Sequence, residues 1–233
     1  MAKILLEMKN ITKTFGPVIA NDKVNLDIYK GEILSLLGEN GSGKTTLIKI
    51  LAGILNKNDG EVTISGKSIG IETKKIVSYL PERTYFSPNM RVKDTINFFE
   101  DFYEDFRTDR AKEMLAALRI EENARIRALS KGTREKVQLI LVMSRDASLY
   151  ILDEPIAGVD PAARDYILRT IITNYNENAT VLISTHLITD IENILDEVVF
   201  MKEGRLLLQT SVEEIREEKG KSVDAYFREV FAC

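Results

Sequence analysis

Residues 38–46 read Gly38-Glu39-Asn40-Gly41-Ser42-Gly43-Lys44-Thr45-Thr46. The spacing Gly38-x4-Gly43-Lys44-Thr45 is that of a phosphate-binding loop, in which each residue type has a mechanical reason. Glycines let successive backbone N–H groups, those of Asn40, Gly41, Ser42 and Thr46 among them, turn inward on one anion as a concave nest. Lys44 adds a point charge for the β- and γ-phosphates of a nucleotide, and Thr45 offers a hydroxyl to Mg2+. The flanks agree. Before the loop, Ile33-Leu34-Ser35-Leu36-Leu37 reads as a buried strand; after it, Leu47, Ile48, Leu51, Ile54 and Leu55 recur at helical spacing. The phosphates would therefore sit at a helix N-terminus.

The whole chain sets wider bounds. Its 233 residues suffice for one large domain or two small ones. A net charge of −4 with both signs interspersed gives no basic face for nucleic acid or an anionic membrane surface. The single cysteine, Cys233, excludes a disulfide within the chain. No apolar run approaches the ~18 residues of a membrane span, and the first residues lack a signal-peptide pattern. The expectation is a cytoplasmic protein without direct membrane insertion.

Outward from the loop, Ile4–Met8 and Lys23–Ile28 predict short strands, as do Gly60–Ile64 and Ile76–Leu80, the last closed by Pro81. Residues 94–145 change period. Ile96, Phe99, Tyr103 and Phe106 recur at helical steps; Ala111, Met114, Leu115 and Leu118 mark a second helix, capped near Thr108 or Asp109. A third helix is expected from about Thr133 to Met143. Leu149–Leu152 and Val181–Ser184 predict strands around a helix at 161–175, the alternation of a parallel sheet. A hairpin follows from Glu197 to Leu208, turning at Glu203-Gly204. The expected fold is α/β: a mostly parallel central sheet, an N-terminal antiparallel β-subdomain and an inserted α-helical subdomain. All of it forms a single domain over 1–233, with residues 1–84 and 146–233 as the core and 85–145 as the helical insert.

Further chemistry lies downstream. Leu149-Tyr150-Ile151-Leu152-Asp153-Glu154 is an apolar strand ending in two acids. Asp153 could hold Mg2+ across the crevice, and Glu154 could act as general base toward the attacking water; alone, such a pair could equally cap a helix. His186, the chain's only histidine, lies just past a strand and could reach a γ-phosphate. Leu129-Ser130-Lys131-Gly132-Thr133 opens a helix with a hydroxyl and free amides, a common capping pattern as well as an anion site.

In order and spacing, these motifs resemble the nucleotide-binding subunits of ATP-binding cassette (ABC) proteins, P-loop NTPases, over roughly residues 5–210. Gly38–Thr46 resembles the Walker A loop and Leu149–Glu154 the Walker B strand. Ser130–Gly132 resembles the family signature, Ala157-Gly158-Val159-Asp160 the D-loop, and His186 the switch histidine. Phe15 stands where the family stacks an aromatic on adenine. The resemblance implies a magnesium-dependent ATPase in which two such subunits, identical or homologous, pack head to tail. Each ATP then lies between the Walker A loop of one subunit and the Ser130 and Gly132 of the other. It also implies integral membrane permease subunits, docked near residues 82–100, that hold the protein at the cytoplasmic face of the membrane; Tyr85, Phe86, Met90 and Val92 are the candidate contacts. The short C-terminal tail leans toward export over import. An assembly ATPase, such as one for iron–sulfur clusters, is the alternative. Three positions depart from the pattern. Lys131 and Thr133 replace the usual glycine and glutamine, and Glu82 stands at a glutamine position, where a carboxylate could still bind Mg2+ but cannot donate.

Overall fold

The computed structural model describes residues 3–156, 164, 167–169, 171–172 and 179–232. Two sheets organise them. β1 (Ile4–Phe15), β2 (Val18–Tyr29), β4 (Asp59–Ile64) and β5 (Lys67–Ser68) form an antiparallel sheet in the order β2-β1-β4-β5. β3 (Ile33–Leu37), β6 (Val77–Leu80), β7 (Leu149–Asp153), β8 (Thr180–Ser184), β9 (Glu197–Lys202) and β10 (Arg205–Ser211) form the second, in the order β10-β9-β3-β8-β7-β6. Within it only the β9–β10 hairpin is antiparallel. Its turn carries Glu203 and Gly204 at φ 48 and 80, the left-handed pair a two-residue hairpin needs.

The continuous apolar runs of β3, β7, β8 and β9 are explained by burial on both faces. Alternate residues serve two cores. Leu34, Leu36, Leu149, Ile151, Leu182, Val199 and Met201 pack toward the antiparallel sheet and α1 (Lys44–Leu51). Ile33, Leu37, Tyr150, Leu152, Val181, Ile183, Val198 and Phe200 face the opposite core. That second core also receives α3 (Val92–Phe102), α4 (Thr108–Ala117) and α5 (Lys131–Met143). α6 (Val212–Lys219) and α7 (Val223–Phe231) complete it.

Several local expectations change. A short helix, α2 (Ile71–Ile76), occupies a stretch with too few turns to show a period. α3 stops at Phe102, so Tyr103 and Phe106 reach the core from a non-helical segment, Phe106 through a bridge to Arg145. Neither Thr108 nor Asp109 caps α4; the cap position is Arg107, and the Thr108 hydroxyl is turned to Glu100 instead. Val92 is fully buried, and Phe86 and Met90 pack against the core, leaving Tyr85 as the exposed member of that group.

One side chain rivets the helical insert to the sheet. Arg145, 2% exposed, bonds both oxygens of Asp105 at 2.9 and 3.0 Å, the Val77 carbonyl at 2.7 Å and the Lys75 carbonyl at 2.6 Å. Its guanidinium also lies 3.9 Å from the Tyr103 ring centroid.

Candidate functional site

Strand register assembles the site. Leu36 of β3 faces Ser184 of β8, Asp153 of β7 faces the same serine, and Leu80 of β6 faces Leu152 of β7. The residues just past these strand ends therefore emerge along one edge: Gly38, Glu154, Thr185-His186 and Pro81-Glu82. This is the carboxyl edge, where open α/β sheets bind ligands.

The glycines of the phosphate loop divide into two kinds. A Cβ on Gly38 would sit 2.2 Å from the Met201 carbonyl oxygen, and one on Gly43 (φ +102) 2.2 Å from that of Ala20. Both are demanded by packing as well as by loop shape. Gly41, at φ +83, meets no atom within 4 Å, so its requirement is for the left-handed backbone alone. The Asn21 amide donates to the Gly43 carbonyl at 3.2 Å and ties β2 to the loop. Lys44 is buried, and its ammonium donates to the carbonyls of Gly38 and Glu39 at 2.7 and 2.9 Å. Burial lowers its pKa, while Glu154 and Asp153 work the other way. A cation bonded only to neutral oxygens keeps its charge uncompensated at short range, as an anion receptor requires.

Asp153 closes β7 and is 1% exposed. Its Oδ1 accepts from the Ser184 hydroxyl at 2.6 Å, whereas its Oδ2 has no hydrogen-bond partner. Burial raises its pKa, the Ser184 bond opposes that, and the charges of Glu82 and Glu154 raise it further. A buried, unpaired carboxylate oxygen is costly unless a cation meets it. Together with Thr45 at the start of α1, this oxygen fits Mg2+ brought in with a nucleotide, since that ion takes one or two carboxylates and completes its shell with phosphates and water. Glu82 stands close enough for its charge to act on Asp153.

Glu154 turns out of the strand at φ 53, a left-handed conformation rare for a non-glycine residue and found where a side chain must be aimed. Its N–H donates to the Ser184 carbonyl at 2.9 Å. Its Oε2 meets His186 Nδ1 at 3.0 Å, so the two downstream candidates form one pair. Gly38, Glu39, Asn40, Glu82, Glu154, Thr185 and His186 line a single cleft of about 640 Å3.

Other expected residues lie apart from that cleft. Phe15 is half-exposed at the β1–β2 turn, with the Lys13 ammonium 5.0 Å from its ring centroid. The β2 residues Ala20 and Asn21 bring this hairpin against Gly43. Ser130 is exposed and caps α5, its hydroxyl accepting from the Thr133 N–H at 3.1 Å and paired with the Thr133 hydroxyl at 2.8 Å. The capping geometry leaves the Lys131 and Gly132 amides outside the helix's own ladder. Ala157–Asp160 and most of 161–175 lie outside the described residues.

Two contributors had not been expected. Ser184 orients Asp153. Gln138 of α5, 1% exposed, donates to the Pro81 carbonyl at 3.2 Å, one residue before Glu82. Spacing alone could have suggested Ser184, the last residue of an apolar strand beside the acidic one; nothing in the pattern marks Gln138.

Comparison with known proteins follows the same lines. A family model described as ABC transporter matches residues 21–157. The uncharacterized ABC transporter ATP-binding protein MJ1023 of Methanocaldococcus jannaschii is 34% identical, over 90% of this chain and 79% of that protein. The SkfA peptide export ATP-binding protein SkfE of Bacillus subtilis is 29% identical over 92% of both chains. The nucleoside import ATP-binding protein NupA of Lactococcus lactis is 31% identical over 86% of this chain and 42% of its own length. A solved structure of the ATP-binding subunit of an ABC transporter superposes with a TM-score of 0.88 at 26% identity, covering 97% of this chain and 99% of that one.

Proposed function

The chain belongs to the ABC transporter family, and from that premise we propose that it is an ATP-hydrolysing subunit that drives separate membrane subunits by closing on a second cassette. The observation that carries this reading is the placement, along one sheet edge, of the Gly38–Thr45 loop, Asp153 with its unpaired oxygen and the Glu154–His186 pair. Lys44 and the loop amides would hold the β- and γ-phosphates. Thr45 and Asp153 would hold Mg2+, with Glu82 beside them; bound there, the ion offsets charge on the phosphate oxygens. Glu154 takes the proton of the water whose oxygen attacks the γ-phosphorus as the bond to ADP breaks. His186, bonded to Glu154, steadies that carboxylate and the γ-phosphate end. Phe15 would supply the adenine platform.

The second copy follows from Ser130. A single chain leaves Ser130 exposed at the start of α5, with Gly132 two residues on and neither in its own cleft, so a head-to-tail partner is needed to bring them onto the γ-phosphate. An identical or homologous cassette serves equally in that geometry. The division into a core of 1–84 and 146–233 and a helical insert of 85–145 belongs to the same proposal.

For the membrane partner, support comes from an apolar cleft of about 520 Å3 lined by Ile54, Tyr85, Phe98, Phe99 and Tyr103. Ile54, Tyr85 and Phe98 are 62%, 51% and 44% exposed there. Among the described residues no helix is long and apolar enough to cross a membrane, and attachment at the cytoplasmic face would come through those subunits. Export is the finer reading; relatives named for export and for import are similar to this chain, and vesicles of known orientation decide between them.

The test is ATP turnover with copurified membrane subunits. Glu154→Gln is expected to keep nucleotide binding and lose turnover by about 10²-fold or more, and Lys44→Ala to lose tight binding. Turnover unchanged in both variants would reject the assignment.

A further inference from the structure

The C-terminal helix α7 borders the catalytic cleft, and the ATPase reading assigns it no task. Its start is fixed by Ser222, whose hydroxyl accepts from the Ala225 N–H at 3.1 Å. Its aromatic face grips β9, the strand beside β3. Fully buried Phe200 has ring centroids of Tyr226, Phe227 and Phe231 at 5.8, 5.4 and 6.0 Å, the Phe227 ring edge-on at 85°. Phe227 and Phe231, four residues apart on one helix face, stack at 4.2 Å. The same helix packs on the helical turn Ile188–Ile191, which begins two residues after His186 and buries Ile188 and Ile191. Phe227 itself is half-buried and lines the cleft together with Glu39, Asn40, Thr185, His186 and Ile188.

His186 is otherwise lightly held. Its side chain is 59% exposed, and it meets the Glu154 carboxylate at 3.0 Å. A ring so exposed keeps its place only if the backbone beneath it is fixed. That backbone is held by the Leu187 N–H donating to the Thr185 hydroxyl at 3.1 Å, and the turn that follows it, Ile188–Ile191, packs on α7. The aromatic stack runs from Phe200 of β9, beside the phosphate-loop strand, to Phe227 at the wall of the same cleft.

We propose that Phe227 is a positioning residue for the reaction, seating the His186 loop against the phosphate-loop side of the cleft. The proposal rests on the ATPase reading above and acts through His186. It requires that loss of the Phe227 ring slow the chemical step without weakening nucleotide binding.

A double-mutant cycle tests it, using single-turnover ATP hydrolysis and nucleotide affinity in the full chain. Phe227→Ala is expected to lower the rate by about 10- to 100-fold, the scale of an ångström-sized misplacement, with ATP affinity unchanged. Phe227→Leu, which retains bulk, should recover most of the rate and covers the case in which the alanine variant folds poorly. In a His186→Ala background, Phe227→Ala should add nothing. An equal fold-loss in that background, a change confined to ATP affinity, or full activity of a folded Phe227→Ala protein would each overturn the proposal while leaving the ATPase assignment standing. Absence of hydrolysis in the wild-type protein would remove the assignment itself.

Discussion

Ser184→Ala removes one hydroxyl from the floor of the site. Ser184 and Asp153 are each 1% exposed, and the 2.6 Å bond between them is the hydrogen bond the structure gives to the Asp153 carboxylate. A hydrogen bond to a charged group contributes about 1.5–3 kcal/mol, and its loss here leaves both carboxylate oxygens buried and unpaired. For a chain of this size that corresponds to a melting point lower by roughly 3–12 °C. The sign of the pH dependence follows from linkage. Burial raises the Asp153 pKa above its unfolded value, so the folded state holds the proton more tightly. The ionised group therefore costs stability above its folded pKa, and that cost fades as pH falls toward the unfolded value. Without the Ser184 donor the cost at neutral pH grows, so the deficit of the variant should shrink in acid, toward the roughly 0.5–1.5 kcal/mol of a neutral bond. Urea unfolding of both proteins at about pH 7.5 and about pH 5, without nucleotide, reads it. A deficit below about 0.5 kcal/mol, or one that grows on acidification, would refute the reasoning.

Gly38→Ala and Gly41→Ala should part company in the same unfolding assay. The first forces a Cβ to 2.2 Å from a backbone oxygen and should cost about 3 kcal/mol or more; the second meets no atom and should cost about 1 kcal/mol for its left-handed φ, while both weaken nucleotide binding read by fluorescence. Arg145→Leu should cost about 3–5 kcal/mol, because Asp105 and the carbonyls of Val77 and Lys75 lose their donor, and Arg145→Lys should recover little of it, since an ammonium cannot fork across a carboxylate.

The contrast between Gly38 and Arg145 marks how far the sequence could be read. Position is legible where the pattern lies in consecutive residues: type and spacing mark the phosphate loop, the acidic strand end and the strand-end histidine, and register places them along one edge. Strands buried on both faces were legible for the same reason, as short apolar runs bounded by turns. What escaped depends on contacts distant in sequence. Arg145 reads as one more charge at the end of a helix, yet it is buried because Asp105, Val77 and Lys75 happen to converge on it. The steps Ile96, Phe99, Tyr103, Phe106 continue a helical period past Phe102, where the chain turns to let Phe106 pair with Arg145. The aromatic spacing of Phe227 and Phe231 shows an apolar helix face, but only the fold puts the Phe227 edge of that face in the cleft lined by Glu154 and His186.

Two cassettes sharing each nucleotide is the proposition from which turnover and transport follow. It is measured by light scattering, with and without nucleotide, of the Glu154→Gln protein, which is expected to bind ATP without consuming it. The account expects monomer alone, dimer with ATP, and monomer again when Ser130→Asp places a negative charge where the γ-phosphate must dock. A Glu154→Gln protein that binds ATP tightly yet stays monomeric, or dimerises regardless of Ser130, would contradict it.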